Sequence, residues 1–465
     1  MTPIPPQSAD SAANALDKLA STLAGTLILP GDSTWESERL AWNRAVDQHP
    51  VAVAIPQNTD DIALILATAL SGGFEVAVQP RGHGANDQLA GCILVRTNAF
   101  DEISIDTAAR IARIGSGVNW GSVLPLLDGT GLVALSGTNP DVTVAGYLLS
   151  GGHSWFSRWK GLAAHSIRAV ELVVASGEVR RVTAQSDPDL LWALRGGCGL
   201  FGIVTTIEID LFEAPVLYGG KIIFPGDSAE AVFAAVDILM RVAPDQLSIF
   251  FGLINMPDVE FVPEPLRGGT FTTVDVVFVG NATDGAALLV PVVAAGPVLM
   301  DTTREFSIGS IGEVSAEPTE PSATHDWSTA ITDFDHDSFA ALAAAFGEAS
   351  AHGLTLIQLR PLGGAQSDPA RDDMGVVGHL DSRYLAFAAA IVPGPGVDLD
   401  LAQIFGPLNA ATAATSSPRS VPSMLSSGQD LSDAYSVETL ERLSLISIAV
   451  DPERVLHSNR QLPRA

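Results

Sequence analysis

Three glycine-rich stretches of the sequence carry the polar side chains that could do chemistry. The first is QPRGHGAN, residues 79–86, in which glycines separate Gln79, Arg81, His83 and Asn86. Glycine lets the backbone approach a ligand closely because it has no Cβ atom, and a neutral imidazole can act as a nucleophile or proton acceptor. Taken alone, the stretch fits either a reactive histidine or one that only hydrogen-bonds within a turn.

Two further stretches are also rich in glycine. They read GTNPDVTVAGYLLSGGHSWFSRWKGL (residues 137–162) and LLWALRGGCGLFGIV (residues 190–204). Either could be a set of turns around a buried helix, yet glycine loops also expose backbone N–H groups that bind phosphate. No Walker loop, GxSxG elbow, paired carboxylate motif or zinc-ligand spacing competes in the sequence. Together the three stretches favour one anionic cofactor held by the backbone, and no metal site.

Composition limits the kinds of partner. The 465 residues include 25 Lys+Arg and 53 Asp+Glu, a formal net charge of −28. Such a chain lacks the clustered cations that bind nucleic acid or anionic lipid, so we expect neither as a partner. Cys92 and Cys198 lie in apolar or glycine-rich surroundings, which predicts inert thiols rather than a disulfide scaffold. No signal-peptide pattern and no apolar run of bilayer length is present, which predicts a cytoplasmic protein.

The predicted helices and strands place the first glycine-rich stretch at the end of a strand. Residues 59–72 form an amphipathic helix with Thr59 as its N-cap, and the apolar run 74–78 that follows ends directly before the histidine loop. Residues 167–182 form a β-hairpin. After residue 214 the composition changes to Ala-rich helices and apolar strands. We therefore predict a second domain that begins there.

The order and wording of several segments resemble the FAD-linked oxidases of the vanillyl-alcohol oxidase superfamily. The resemblance is to the berberine-bridge-enzyme-like branch, which includes bacterial 6-hydroxynicotine oxidases. The segments are WNRAVDQHPVAVAIPQNTDDI, VAVQPRGHG, GTNPDVTVAGYLLSGGHSWFSRWKGLAAHSI, DPDLLWALRGGCGLFGIVT, LRPLGGA and DPERVLHSNRQLP.

The resemblance implies an α+β fold of two parts. One is a PCMH-type FAD-binding domain of two α/β subdomains, and the other is an inserted α/β substrate domain with an antiparallel sheet covered by helices. The implied boundaries are 1–214 for the FAD-binding domain, 215–412 for the substrate-binding domain, and 413–465 for a C-terminal segment that returns to the FAD-binding domain.

The resemblance also implies how FAD is held. VQPRGH aligns with the family's RSGGH loop and places His83 on the histidine that bonds covalently to the 8α-methyl group of FAD. Asn139 occupies the position of a second linking cysteine, so a single link is expected. Val142 stands where the family controls oxygen access and favours an oxidase over a dehydrogenase. Further residues implied to line FAD are Gln79, Arg81, Gly82, Gly84, Thr138, Asp141, Gly146, Gly151, Gly152, Ser154, Ile203, Val204 and Asn459.

The catalytic tyrosine of the family is not found in its usual motif. Many relatives carry Tyr-x-Asn-Phe where this chain has VPSM, residues 421–424. Gln358 and Arg360 share one face of a predicted strand because alternate residues of a strand point the same way. An ordinary structural hydrogen bond is an equal alternative for each candidate proton-handling residue. These candidates are Gln358, Arg360, His379 and Tyr384, with His153 as a further one.

The implied reaction passes a hydride from a C–H bond next to an alcohol or amine of a small metabolite to flavin N5, and then to O2 as hydrogen peroxide. Two alternatives stay open: a flavin-dependent cyclisation or rearrangement of secondary metabolism, and a flavin-binding protein that has lost catalysis. The expected partners are a small-molecule substrate and O2, and the expected assembly is a monomer or a homodimer.

Overall fold

The fold is built on β-sheets that meet around one cavity. The computed structural model describes residues 9–258, 260, 262, 264–394, 397–417 and 419–462. Within these residues the chain forms two five-stranded sheets, one short two-stranded pair and one large sheet of nine strands.

A mainly parallel sheet forms the N-terminal part of the fold, and its last strand comes from the C-terminal tail. Only its first strand runs antiparallel to a neighbour. The fully buried apolar run Cys92–Val95 is typical of a parallel strand covered on both faces. In order across the sheet, the strands are Thr26–Ile28, Ala52–Ile55, Cys92–Val95, Glu75–Val78 and Leu456–His457.

The helix predicted over residues 59–72 is confirmed as Thr59–Gly72. Its cap is not Thr59 but Asn58, whose side chain accepts a hydrogen bond from the backbone N–H of Asp61 at 3.0 Å. Gly73 ends the helix in the left-handed region with φ 69°, a conformation that glycine adopts without strain. The chain then enters the strand that leads to the histidine loop.

A second sheet is antiparallel throughout. It contains the predicted hairpin, in which Ile167–Val173 pairs with Val179–Thr183. Its strand order is Ile103–Asp106, Ile111–Gly115, Ile203–Asp210, Ile167–Val173 and Val179–Thr183.

The large sheet confirms the predicted antiparallel sheet covered by helices. Its main path is Met300–Asp301, Leu217–Pro225, Thr270–Val279, Leu247–Asn255, Leu356–Pro361, Tyr384–Ile391, Thr324–Ile331 and Ser416–Ser417. Arg304–Phe306 also pairs with the second of these strands. The covering helices are Ala229–Met240, Ala282–Val293, His336–Ser350 and Leu401–Thr412.

Alternation along the strands gives the large sheet two different faces. One face is apolar and packs against the covering helices, as Phe224 and Phe251 do in a core shared with Phe339. The opposite face carries polar side chains such as Lys221 and Arg360, which line the cavity. The sheet therefore serves as a core on one side and as a wall of the cavity on the other.

The last described strand of the chain, Leu456–His457, joins the N-terminal sheet. Helix Val437–Val450 ends at Asp451, whose buried carboxylate accepts hydrogen bonds from the backbone N–H groups of Val455 at 2.9 Å and Leu456 at 2.8 Å. This cap directs Leu456–His457 into a parallel pairing with Val76 and Ala77.

Short elements complete the described part of the chain. Leu132–Val133 pairs with Phe212–Glu213. The remaining α-helices are Ala9–Thr22, Trp35–Arg39, Trp120–Val123, Val144–Leu149, Ser157–Lys160, Pro188–Leu194 and Gly312–Ser315. The 3-10 helices are Leu124–Leu127, Ala163–Ser166, Gly226–Ser228, Glu264–Leu266, Ile308–Ser310, Gly364–Ser367, Pro369–Arg371, Pro422–Met424 and Leu431–Asp433.

The division into domains at residues 214 and 412 stays a prediction. The two-residue strand Ser416–Ser417 pairs with Ala330 and Ile331 in the large sheet, so that sheet continues slightly beyond the predicted end of the insertion. Among the described residues, no helix has the length and apolar character needed to span a bilayer. The cytoplasmic location and the oligomeric state also stay predictions.

The cap at Asp451 yields a test of how the tail is anchored. Replacement of Asp451 by Ala leaves two buried N–H groups without an acceptor, and we expect the free energy of unfolding to fall by about 1–3 kcal/mol. Urea denaturation measures the loss, with Glu453→Ala, an exposed carboxylate of the same turn, as the control. Equal stability of the two variants would contradict the anchoring role.

Candidate functional site

One cavity of about 1050 Å³ lies between the glycine-rich loops and the polar face of the large sheet. This volume exceeds the roughly 300–1,000 Å³ typical of small-molecule sites. The loops at residues 79–87, 137–147 and 198–204 contribute to one wall, while Lys221, Gln358 and Arg360 contribute to the other. The cavity therefore has room for a large cofactor together with a substrate.

The histidine loop places a neutral imidazole at this cavity. The ring of His83 stacks on Trp42 with a centroid distance of 4.2 Å and an interplanar angle of 18°. Its Nε2 atom is buried and has no hydrogen-bond partner among the described residues. Burial, and then the charge of Arg81, lower the pKa of His83 to about 4. The imidazole is thus uncharged at neutral pH, as a nucleophilic nitrogen must be.

The tail and a glutamine pair hold the histidine loop in place. The side chain of Asn459 donates to the carbonyl of Gly84 at 2.6 Å, and that of Asn86 donates to the carbonyl of Asn459 at 2.9 Å. Gln79 and Gln48 exchange side-chain hydrogen bonds of 2.8 and 3.0 Å. The amide of Gln79 is therefore committed to bracing the loop, although the residue lines the cavity.

Backbone N–H groups fit the site for an anionic cofactor. Those of residues 82–85 and 137–139 lie along the cavity and donate to no other described residue. Unpaired N–H groups in glycine loops bind phosphate without a cation. Arg81, by contrast, points to Asp141 at 3.1 Å. The loops thus supply the donors that a dinucleotide diphosphate requires. These donors are backbone N–H groups rather than lysine side chains.

The predicted FAD-lining residues separate into two groups. Those that line the cavity are Gln79, Gly82, His83, Gly84, Thr138, Val142, Gly146, Val204 and Asn459. Those outside the described lining are Arg81, Asp141, Gly151, Gly152, Ser154 and Ile203.

The second group has structural roles that explain its placement. A Cβ atom on Gly151 would stand 2.7 Å from Val421, and one on Gly152 would stand 2.6 Å from Tyr147, so both glycines permit close packing. Ser154 accepts a hydrogen bond from the backbone of Phe156 at 2.9 Å. Ile203 is fully buried in the core of the N-terminal sheet. These residues shape the loops from behind the cavity wall.

The polar face of the large sheet brings the predicted pair Gln358 and Arg360 into the cavity. The Nε atom of Arg360 donates to Oε1 of Gln358 at 2.7 Å, and the guanidinium lies 4.5 Å from the ring centroid of Phe250. Nearby, Lys221 and the buried Asp275 form an ion pair of 2.5 Å. The wall opposite the histidine loop is thus charged but desolvated.

Two aromatic residues of the second glycine-rich stretch complete this part of the site. His153 lines the cavity with a buried Nδ1 atom that has no partner among the described residues, and burial lowers its pKa to about 3. Tyr147 also lines the cavity, its hydroxyl group is likewise buried without a described partner, and burial raises its pKa. The sequence reasoning missed Tyr147, although its position between Gly146 and Gly151 was a usable signal.

The predictions for Tyr384 and His379 are corrected by their positions. The hydroxyl of Tyr384 donates to Asp237 at 2.5 Å, and its ring packs in the aromatic core behind the sheet. His379 sits between Asp372 at 2.6 Å and Asp381 at 2.7 Å, and the hydrogen bond that its ring donates to Asp372 raises its pKa. Neither belongs to the described cavity lining, because strand alternation turns Tyr384 to the apolar face.

Residues 421–424, which replace the usual tyrosine motif, lie beside the cavity. Pro422, Ser423 and Met424 line it, and the backbone N–H of Ser423 donates to the carbonyl of Ser150 at 2.8 Å. The segment therefore supplies wall and packing rather than an acidic or basic group.

One cluster bears on the prediction that the chain holds no metal. Glu75, Cys92 and His457 place possible ligand atoms within 4.8 Å of one another. Burial raises the pKa of Cys92 to about 12, which keeps its thiol protonated, and His457 contacts Glu75 at 2.8 Å. A hydrogen-bonded pair beside a neutral thiol accounts for the cluster, and the absence of a metal stays a prediction.

Comparison with known proteins agrees with this geometry. The sequence pattern of the FAD binding domain family matches residues 50–183. The chain carries an FAD-binding domain. This domain spans the strand before the histidine loop, the loop itself and the second glycine-rich stretch, which are the segments whose N–H groups line the cavity.

Curated relatives share this part of the chain. The (R)-6-hydroxynicotine oxidase of Paenarthrobacter nicotinovorans is 34% identical over 202 residues, 43% of this chain and 44% of that protein. The FAD-dependent monooxygenase FUP4 of Fusarium proliferatum is 32% identical over 239 residues, 50% of this chain and 45% of that protein. The matched region thus spans a little under half the length of these relatives.

Solved structures extend the likeness to nearly the whole fold. The BBE-like 1 protein of Physcomitrella patens has a TM-score of 0.82 at 19% identity, with 96% of this chain and 99% of that chain covered. The 6-hydroxy-D-nicotine oxidase of Arthrobacter nicotinovorans has a TM-score of 0.80 at 23% identity, with 95% and 98% covered. The predicted α+β fold with an antiparallel sheet covered by helices is thereby confirmed.

The buried histidines predict how stability depends on pH. His153 and His165 have folded pKa values of about 3, below the unfolded value, so the unfolded chain binds more protons between the two values. Their contribution to stability is present above pH 6.5 and is lost as the pH falls. Between pH 7.5 and 5.5 we expect His153 alone to account for about 1 kcal/mol of lost stability.

Urea unfolding at the two pH values measures this effect. In His153→Phe the pH-dependent loss should be smaller by that amount, whereas the exposed control His352→Phe should leave it unchanged. An identical pH dependence in wild type and His153→Phe would show that His153 is already protonated or well solvated in the folded state.

Proposed function

We propose that the protein is an oxidase that holds FAD covalently through His83 and oxidises a C–H bond next to an alcohol or amine of a small organic metabolite. The observation that carries the proposal is the neutral His83, whose Nε2 atom has no partner among the described residues, beside two loops whose backbone N–H groups donate to no described residue. These N–H groups would hold the anionic part of FAD, and His83 would supply the nitrogen for the covalent link.

The names of relatives support this reading. The curated relatives include 6-hydroxynicotine oxidase and a glucooligosaccharide oxidase, alongside proteins named monooxygenases. The glucooligosaccharide oxidase structure is titled for a 6-S-cysteinyl, 8α-N1-histidyl FAD. In this chain Asn139 cannot form a thioether, and its side chain instead donates to the carbonyl of Pro318 at 2.9 Å. A single link through His83 follows.

Formation of the link needs an oxidant. A link between His83 and the 8α-methyl group would replace one C–H bond and the imidazole N–H bond by a C–N bond. The two electrons and two protons released would reduce one O2 to hydrogen peroxide, with the bound flavin supplying the redox chemistry. The chain's part is to keep His83 neutral by burial and to hold its ring on Trp42.

When bound, FAD supplies hydride acceptance and transfer of the electrons to O2. The protein's residues bind and orient the substrate against it. Gln358 and Arg360 contact the substrate from the sheet, and His153 offers a neutral nitrogen that can accept a hydrogen bond from the hydroxyl or amine group of the substrate. Val142, at the cavity wall between the loops, leaves room for O2. Phe250 is buried beneath Arg360 and next to His153, and it supports both side chains.

Acid precipitation tests the covalent link. The wild-type pellet should stay yellow because a histidyl bond survives denaturation, while His83→Ala should release all of its flavin into the supernatant. Absorbance of pellet and supernatant at the flavin band measures the split. The exposed His49→Ala serves as the matched control and should behave as wild type. A colourless pellet from yellow wild-type protein would refute the covalent link.

Anaerobic mixing with a panel of alcohols, amines and hydroxylated heteroaromatic compounds tests the reaction. At least one compound should bleach the flavin, and in air that compound should yield one H2O2 for each O2 consumed. Bleaching without peroxide, or incorporation of oxygen into the product, would assign a dehydrogenase or monooxygenase instead. No bleaching by any class of compound would favour a flavin-binding protein without catalysis.

A further inference from the structure

Arg360 is a buried cation without a carboxylate partner. It is 7% exposed, and a guanidinium group carries five N–H donors. The acceptors for these donors among the described residues are Oε1 of Gln358 at 2.7 Å and the sulfur of Met424 at 3.8 Å. No described carboxylate oxygen lies within 4.0 Å of the group. No described residue accepts a hydrogen bond from its Nη2 atom, and Arg360 lines the cavity.

The other deeply buried arginines of the chain are satisfied differently. Arg96, Arg158 and Arg460 are each about as buried as Arg360, with 5%, 5% and 6% of their surface exposed. Backbone carbonyls accept hydrogen bonds from each of these guanidinium groups. Those of Arg96 go to Glu38, Leu40 and Gln79, and those of Arg158 go to Leu247 and Leu362. Those of Arg460 go to Leu425, Ser426 and Gln429. Arg360 and Arg460 both line the cavity, but only for Arg460 do carbonyls of described residues accept from the guanidinium group.

The acidic groups near Arg360 do not neutralise it directly. Asp275 is already committed to Lys221 at 2.5 Å and to Ser315 at 3.2 Å. Glu317 acts on Arg360 only through longer-range attraction, and burial lowers the pKa of the guanidinium. The buried Tyr147 and His153 are both neutral. A desolvated charge without a partner destabilises a fold, so a cavity that keeps one points to a ligand.

We propose that this side of the cavity binds a substrate with an organic carboxylate group, held by Arg360. The inference rests on the proposed function, whose substrate class it names. The planar fork of a guanidinium matches a carboxylate with two parallel hydrogen bonds. The ring of Phe387, which lines the cavity 5.8 Å from the guanidinium, adds apolar surface for a flat substrate body. The buried ring of Phe250 lies 4.5 Å from the guanidinium and supports Arg360 from the protein side. Gln358, already bound to Arg360, keeps the fork in one orientation.

The test measures ligand binding to the flavin-loaded protein, without turnover. Benzoate and its uncharged analogue benzamide are titrated, and binding is read from the rise in unfolding temperature and from the change in the flavin spectrum. Wild type should bind benzoate at least tenfold more tightly than benzamide. The variants are Arg360→Met, which keeps length without charge, Arg360→Lys, which keeps charge without the fork, and the exposed Arg304→Met as control.

We expect Arg360→Met to lose at least tenfold in affinity for benzoate and to stop distinguishing it from benzamide. Arg360→Lys should retain a weaker preference, and Arg304→Met should match wild type. Because the charge is unpaired in the free protein, Arg360→Met should unfold at the same or a higher temperature. Should it fail to fold, Arg360→Lys and Arg360→Gln supply the same comparison.

Three outcomes overturn the inference. The first is that wild type binds benzoate and benzamide equally, or binds neither. The second is that Arg360→Met keeps the preference for benzoate. The third is that Arg360→Met loses its flavin, or changes the flavin spectrum without ligand, because Arg360 would then be a partner of the cofactor. Failure of the proposed function looks different. It appears as a wild-type protein that contains no flavin or whose flavin no compound bleaches. The rise in unfolding temperature on binding of benzoate can be measured without flavin and without bleaching.

Discussion

The two ends of the chain meet in one parallel strand pair, and the cavity depends on it. Leu456–His457 pairs with Val76 and Ala77, the strand that leads into the histidine loop. From this pairing Asn459 reaches the carbonyl of Gly84 and fixes the loop from the C-terminal side. Because the large sheet is inserted between these two ends, the same pairing brings the polar face of that sheet over the loop.

The large sheet packs against helices on one side and lines the cavity on the other, because the side chains of a strand alternate between two faces. Its apolar face packs against four helices, and its polar face lines the cavity. Burial then determines the electrostatics of that face. Neutral His153 and Tyr147, the paired Lys221 and Asp275, and the unpaired Arg360 share one desolvated wall. In such surroundings a single uncompensated charge selects strongly among ligands.

Much of the histidine side of the site could be predicted from the sequence. Glycine spacing around His83 and the order of the glycine-rich stretches pointed to an anionic cofactor on backbone N–H groups, and the FAD-binding domain match confirms the cofactor. The sheet side was less predictable. Gln358 and Arg360 reach the cavity as alternation suggested, but Tyr384, in the neighbouring strand, faces the opposite way. A residue's face depends on the register between strands, which local sequence does not reveal.

The sequence by itself determined the local pieces: the helix Thr59–Gly72, the hairpin that begins at Ile167, and the glycine loop that exposes His83. These depend on nearest neighbours along the chain, on capping and on the conformational freedom of glycine. Only the tertiary structure decided that Arg360 has no carboxylate partner among the described residues and that the amide of Gln79 pairs with that of Gln48. Such pairings join residues far apart in sequence, and they are set by which sheets pack together rather than by the residues alone.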